Sequence, residues 1–264
     1  MNHVKFWPAS PDFSKPIEVG FRLGDKGTHT SRTMMFDELS AAFAATPADA
    51  SRSRYAEAAI DGNCFGKTTV ATRRLTNQRL GELYGLDPEI PIFRILRNLW
   101  ERHEHGRPLL AVLVAMARDP LLLSTAPSVI TLRPGAEFHR DEMKTALRKV
   151  VGERLNDSIL DKVVRNAASS WSQSGHLVGR TFKRREVVQA TPAAIALAMY
   201  LGNAAGFRGT DLLSSGWVAT LDCSPTKAHE LALAAKRAGY IDLRIGGDVF
   251  ELSLDRLDPR TGRL

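Results

Sequence analysis

Two long stretches of this sequence lack acidic residues. None lies between Asp61 and Glu82, and none between Asp161 and Glu186. Such windows exclude neither a soluble fold nor a folded surface, but they leave their basic residues without local neutralisation. Cysteine is also scarce. Cys64 and Cys223 stand far apart and form no C-x-x-C, which argues against a zinc site and fits a reducing cytoplasm. No apolar run is long enough to cross a bilayer, since the longest, Leu109 to Ala117, ends at Arg118. The first residues, Met-Asn-His-Val-Lys-Phe-Trp-Pro, lack the apolar core of a signal peptide. Together these absences predict a soluble cytoplasmic protein with no membrane partner, and nothing in the sequence calls for a cofactor or a metal.

What is present is ordinary in amount and unusual in sign. Hydrophobic residues make up 44% and charged residues 25% of the 264, a globular composition with room for one large domain or several small ones. Lys and Arg number 36 against 29 Asp and Glu, a net charge of +7 and a pI near 9.6. That excess favours nucleic acid or another polyanion as partner.

The first acid-free window centres on Ile60 to Tyr84. A turn at Gly62-Asn63 and Gly66 precedes a helix expected from about Thr68, with Val70, Leu75, Leu80, Leu83 and Tyr84 facing inward. The other face would carry Thr68, Thr69, Thr72, Arg73, Arg74, Asn77 and Arg79, with Lys67 at its start. Short polar side chains at a helix N-terminus, with arginines beyond, suit a recognition helix that holds phosphate and reaches bases. A solvated basic face would read the same way. The run Gly62 to Thr68 also imitates a phosphate-binding P-loop. It has three residues between its glycines where that motif needs four, and a helical pattern precedes it instead of a strand.

Taken in order, residues 1–30 read as an extended arm with turns, marked by Pro8, Pro11, Pro16, Gly20, Gly24 and Gly27. Residues 31–88 read as a helix-turn-helix module: a helix capped by Ser31, a second from Asp49 or Ser51, and the third from Thr68. Residues 89–139 read as a helical core, with Ile92 to Glu104 and a nearly all-apolar helix from Pro108. His103-Glu-His105 falls at a helix end and alternates faces, so a metal pair is not indicated. Residues 140–190 predict a winged-helix unit: helices over Glu142–Val151 and from Asn156 or Asp157 to about Ser174, then strands at 176–180 and 186–190. Its basic residues are Lys162, Arg165, Arg180, Lys183, Arg184 and Arg185, the last four at the hairpin tip. Residues 191–264 repeat the pattern sixty-four positions later, with Gly239 matching Gly175 and Gly246-Gly247 turning the hairpin. Asp242 and Asp248 oppose Arg244 there, so this unit is expected to be structural or a protein contact. The fold class is therefore mainly α: a helix-turn-helix module, a helical core and two winged-helix-like units with short β-hairpins.

The run Gly62-Asn-Cys-Phe-Gly-Lys-Thr-Thr-Val-Ala-Thr-Arg-Arg-Leu, with Arg79-Leu80 and Leu83, resembles the N-terminal helical module of the BrxA family. Its pairing with Pro108-Leu-Leu-Ala-Val-Leu-Val-Ala is similar as well. Asp161-Lys-Val-Val-Arg to Ser174-Gly-His-Leu-Val resembles that family's second winged-helix module. The resemblance spans roughly Met34 to Ala190 and consists of helix-and-turn patterns. It implies a non-enzymatic DNA-binding accessory component of a bacterial phage-defence (BREX) system, working beside methyltransferase, ATPase and PglZ-type subunits. The arm and the part from Thr191 onward are additional to it.

No residue pattern asks for catalysis. A G-x-S-x-G elbow is absent, and Ser172-Gln-Ser174-Gly175-His176 is expected to be a helix end, its adjacency giving no triad. Two other readings stand beside DNA binding. One is a protein–protein adaptor that uses winged helices as scaffold, and the other a nuclease whose metal site a single sequence does not reveal.

Overall fold

Short polar caps followed by proline set where many of the helices begin. In the computed structural model, which describes residues 4–246, 249–258 and 260, Asp119-Pro120, Thr191-Pro192 and Ser224-Pro225 each open a helix. The cap oxygen accepts the free N–H groups of the first turn, and proline has no N–H to leave unpaired there. The described chain is 58% helix and 6% strand, mainly α with two short antiparallel hairpins.

In chain order the helices are α1 (Ser14–Val19), α2 (Phe36–Ala44), α3 (Arg52–Ile60), α4 (Val70–Tyr84), α5 (Pro91–Arg102), α6 (Arg107–Arg118), α7 (Pro120–Thr125), α8 (Pro127–Ile130), α9 (Arg140–Val151) and α10 (Asp157–Gln173). The hairpin β1 (Leu177–Val178) and β2 (Arg184–Arg185) follows, then α11 (Pro192–Ala204), α12 (Gly216–Ala219), α13 (Pro225–Arg237) and the hairpin β3 (Asp242–Gly246) and β4 (Val249–Ser253).

The core is built on α6. Every residue from Leu109 to Arg118 is buried, and α4, α5, α7, α10 and α11 pack round it. That is what an apolar run without a polar side dictates. Helix α11 is nearly as enclosed, and its alanines (Ala193, Ala194, Ala196 and Ala198) let α13 and α6 approach closely. One hydrophobic cluster runs from Phe6 to Leu257.

Several expectations shift. The N-terminal segment carries a short helix, α1, and is docked onto the body. Phe6 and Phe21 pack edge-on against Trp217 at 5.4 and 5.5 Å, and Trp217 Nε1 donates to the Phe6 carbonyl at 2.9 Å. Gly216 donates its N–H to the Lys5 carbonyl at 2.6 Å, and a side chain there would collide with that carbonyl. Ser31 caps no helix: α2 begins at Phe36, after Met35 in the left-handed region at φ 55. Met34 and Met35 are buried as expected, but from the turn before the helix. Within α4, Val70 and Leu75 are 46% and 40% exposed, while Thr76 is buried in the place a leucine was expected.

Asp119 ties the arm to the body. Its carboxylate accepts the N–H groups of Leu121 and Leu122, and through Oδ2 the His29 N–H at 2.9 Å and ring Nδ1 at 2.8 Å. His29 Nε2 meets Ser170 Oγ on α10 at 2.8 Å, and that oxygen also accepts the Met34 N–H at 2.8 Å. Burial opposes the charge on Asp119, but His29 and the N–H groups outweigh it and hold the carboxyl below its ordinary value.

A second buried histidine is held neutral. His176 Nε2 lies 2.7 Å from the Thr220 carbonyl oxygen, which can only accept, so Nε2 carries the proton and Nδ1 faces Ser174 Oγ at 2.8 Å. Burial pushes its pKa from 6.5 down to about 4, with Asp222 and Arg185 acting in opposite directions beside it. A histidine with a lowered folded pKa contributes stability above its unfolded value. That contribution is lost as the pH falls from about 6.5 toward about 4, because only the unfolded chain takes up the proton there. Urea midpoints of the parent should therefore fall more steeply across this window than those of His176→Gln. Parallel curves would mean that His176 charges in the folded protein.

Candidate nucleic-acid interface

Helix α4 starts at Val70 because Thr69 caps it, its Oγ1 accepting the Thr72 N–H at 3.2 Å. Thr68, Thr69, Thr72 and Arg74 are exposed around this helix end. The remaining members of the expected face are engaged. Arg73 turns back, giving Nε to the Lys67 carbonyl at 2.9 Å and Nη1 to the Ile60 carbonyl at 3.2 Å, so it ties the end of α3 to the α3–α4 loop. Lys67 is half-buried and pairs with Glu38 at 2.9 Å, and its N–H goes to Asn63 Oδ1. Arg79 pairs with Glu82 at 2.8 Å. Asn77 is half-buried, with its Oδ1 enclosed. The helical face assigned to α4 thus splits into an outward part and a structural part. The chain before the Gly62–Lys67 loop is α3, and no strand precedes it.

In the central unit a further segment of chain joins the hairpin. Residues 135–138 form a third extended segment beside the hairpin. Gly135 donates to the Arg185 carbonyl at 2.8 Å, Arg185 donates to the Ala136 carbonyl at 2.9 Å, and Phe138 donates to the Lys183 carbonyl at 2.8 Å. The order of this bridged segment, α9, α10 and the hairpin is the order expected of a winged-helix unit. The strands lie at 177–178 and 184–185, not at 176–180 and 186–190, so Arg184 and Arg185 belong to β2 and not to the tip.

That register divides the basic residues. Arg185 points inward and is buried. Its Nε donates to the Val129 carbonyl at 3.0 Å and its Nη2 pairs with the Asp222 carboxylate, which removes it from any interface. Arg184, its neighbour on the opposite face, is exposed, as is Arg180 at the tip. Lys183 folds onto α10, giving Nζ to Ser172 Oγ at 2.6 Å; burial and nearby Arg140 hold its ammonium below the ordinary value. On α10 itself Lys162 and Arg165 are exposed. Asp161, just before Lys162, pairs with Lys144 of α9 at 2.7 Å. Arg140, Lys144 and Arg165 line one small cleft of about 180 Å³ together with Asp141 and Asp161. Arg140 and Lys144 escaped the sequence reading because they lie outside the acid-free window, and only the packing of α9 on α10 brings them in. Phe182, 71% exposed at the tip, was also unassigned.

In the C-terminal hairpin the acid opposite Arg244 is Glu251 and not Asp242 as expected. Arg244 faces Glu251 across the ladder at 3.7 Å, and Asp242 pairs with Arg256 at 2.6 Å. Gly247 and Asp248 lie outside the described residues.

Two arrangements have the outline of hydrolytic chemistry. Asp119, His29 and Ser170 are in line by hydrogen bonding, yet all three are fully buried and Ser170 Oγ is occupied by Met34 N–H. Ser174 does meet His176, contrary to the expectation from adjacency, but the third partner is the Thr220 carbonyl and no carboxylate. Both act as locks on the fold. Among the described residues no group of three or more His, Cys, Asp or Glu is placed to hold a metal ion, and no single helix is long and apolar enough to cross a membrane.

Arg73 and Arg74 are adjacent and should behave oppositely. Arg73→Ala strips two carbonyls of their partner and is expected to cost about 1–3 kcal/mol in urea denaturation. Arg74→Ala should leave stability within about 0.5 kcal/mol of the parent. Equal, small effects would remove Arg73 from the structural role.

No family model matches the chain, and no curated protein matches it.

Proposed function

We propose that this is a non-enzymatic protein that binds duplex DNA chiefly through the central winged unit. One observation carries the reading. Lys162, Arg165, Arg180 and Arg184 are exposed on α10 and its hairpin, and Asp161, the nearest acid on that helix, is already paired with Lys144. Unpaired cations along a helix and an adjoining hairpin suit contacts to phosphate, with α10 entering a groove and the hairpin following the backbone. Thr68, Thr69, Thr72 and Arg74 at the start of α4 form a second, weaker contact. The further reading, an accessory component of a cytoplasmic phage-defence system acting with other BREX subunits, is carried by the resemblance to the BrxA family.

An adaptor role is favoured by a different feature. Phe182 and Val178 are exposed large apolar side chains on the same hairpin, a surface that a protein partner could cover.

Salt dependence separates the two. Replacing Lys162, Arg165, Arg180 and Arg184 by Ala should weaken binding to unrelated duplexes alike. It should also reduce the magnitude of the log K versus log salt slope by roughly two to four, at about 0.9 per phosphate contact. Arg244→Ala should change little, because Glu251 opposes that charge. Anisotropy titrations at several salt concentrations measure both. An unchanged slope in the quadruple variant would sink the winged-unit reading, and a larger loss in Arg244→Ala would move the interface to the C-terminal hairpin.

A further inference from the structure

Phe182 is the most exposed large apolar side chain among the described residues, and it stands at the tip of the central hairpin. A single exposed apolar residue needs no explanation by itself. The turn that carries this one and the charges around it do point to a use.

The turn is closely built. Gly179 takes φ 105, and a Cβ there would run into the Phe182 carbonyl oxygen, so the chain doubles back at a distance that only glycine permits. Lys183 ties the same turn to the helix behind it. Its Nζ donates to Ser172 Oγ on α10 at 2.6 Å and to the Gly179 carbonyl at 3.3 Å. A ring carried on such a turn is largely preorganised, and a partner loses little entropy in ordering it.

The surroundings of the ring are cationic. Arg180 is exposed two positions before it and Arg184 two positions after it. Glu137 is the neighbour of Arg184 in the bridged segment, which leaves Arg180 the stronger of the two for phosphate. An apolar protein surface that covered Phe182 would strip water from these guanidinium groups and give them no anion in return. Duplex DNA answers both needs. It offers phosphates on either wall of a groove and, between them, base steps that an apolar side chain can part.

We propose that Phe182 is a wedge. With α10 in the major groove, the hairpin tip enters the adjoining minor groove, where the ring parts one base step and bends the duplex while Arg180 and Arg184 take phosphates beside it. This rests on duplex binding by the central winged unit and adds a preference that phosphate contacts do not supply. Pyrimidine–purine steps unstack most easily and A-tracts are stiff, so sites with a TA or CA step under the ring are favoured.

The test uses the full chain and two short duplexes of equal length, one with a central TA step and one with an A-tract in its place. Each carries a donor and an acceptor dye at its ends, so that anisotropy gives affinity and energy transfer gives the bend. The parent should bend the TA duplex, by an angle within roughly 20–90°, and bind it tighter than the A-tract duplex. Phe182→Ala should lose the bend and the preference and bind the TA duplex about tenfold more weakly. It should keep the slope of log K against log salt, because no phosphate contact is removed. Phe182→Trp should retain the bend. A parent that binds both duplexes without bending either overturns the wedge and leaves the winged-unit reading standing. So does a Phe182→Ala protein that bends the TA duplex as the parent does. If the parent binds neither duplex, the wedge and the winged-unit reading fall together.

Discussion

A single buried carboxylate holds three separate parts of this chain in register. Asp119 caps α7, receives both the backbone and the ring of His29, and through that ring reaches Ser170 on α10. An uncompensated charge at such a site would be very costly, so the charge survives only because every part stays in place. Gly27 is needed beside it, since a side chain there would run into the Asp119 carboxylate. The N-terminal segment thus fixes the helix that carries Lys162 and Arg165. Asn166 adds a further tie, its Nδ2 donating to the His29 carbonyl at 2.8 Å. Loss of the arm would therefore disturb the proposed interface at a distance.

The net charge of +7 overstates the surface available to a polyanion, because several arginines serve the interior. Arg97 gives Nη2 to the Phe43 and Thr46 carbonyls and lies over the Phe43 ring at 4.7 Å. Arg118 covers the end of α4, Arg73 the end of α3, and Arg185 bridges Val129 to Asp222. Each meets carbonyls that a helix end or loop leaves without an N–H. Guanidinium suits this work because its fork of donors reaches two backbone oxygens at once. A basic window in sequence is therefore two populations, and tertiary packing decides which residue joins which.

The helices were legible from caps and prolines because those signals are local: Ser51 and Asn156 cap the helices expected of them. The mainly α class followed from the same signals. What failed depended on distant chain. Periodicity put Val70 and Leu75 inside, but the buried residues of α4 are Thr76, Leu80, Leu83 and Tyr84, and its first turn is exposed. Residues 135–138 gave no strand signal, since their pairing is supplied by β2 from almost fifty positions away. At the site, Lys162, Arg165, Arg180 and Arg184 were read as exposed and are so. Arg185 was misread because alternation along a two-residue strand turns one of two adjacent arginines inward.

The two hairpins also differ in what holds them. The C-terminal one has five cross-strand pairs and packs through buried Leu243 against the body. The central one has only two pairs, too few to stand alone in water. It is anchored at its base from two sides, by residues 135–138 and by the segment after α12. In that segment Asp222 pairs with Arg185 and accepts the Val188 N–H at 2.8 Å, and the Thr220 carbonyl accepts from His176. The part of the chain beyond Thr191 therefore acts as a buttress for the central hairpin. With the base fixed by buried groups, Arg180 and Phe182 at the tip stay exposed. A short hairpin that could not persist by itself becomes a fixed projection, and its charge and its one large aromatic side chain are presented together.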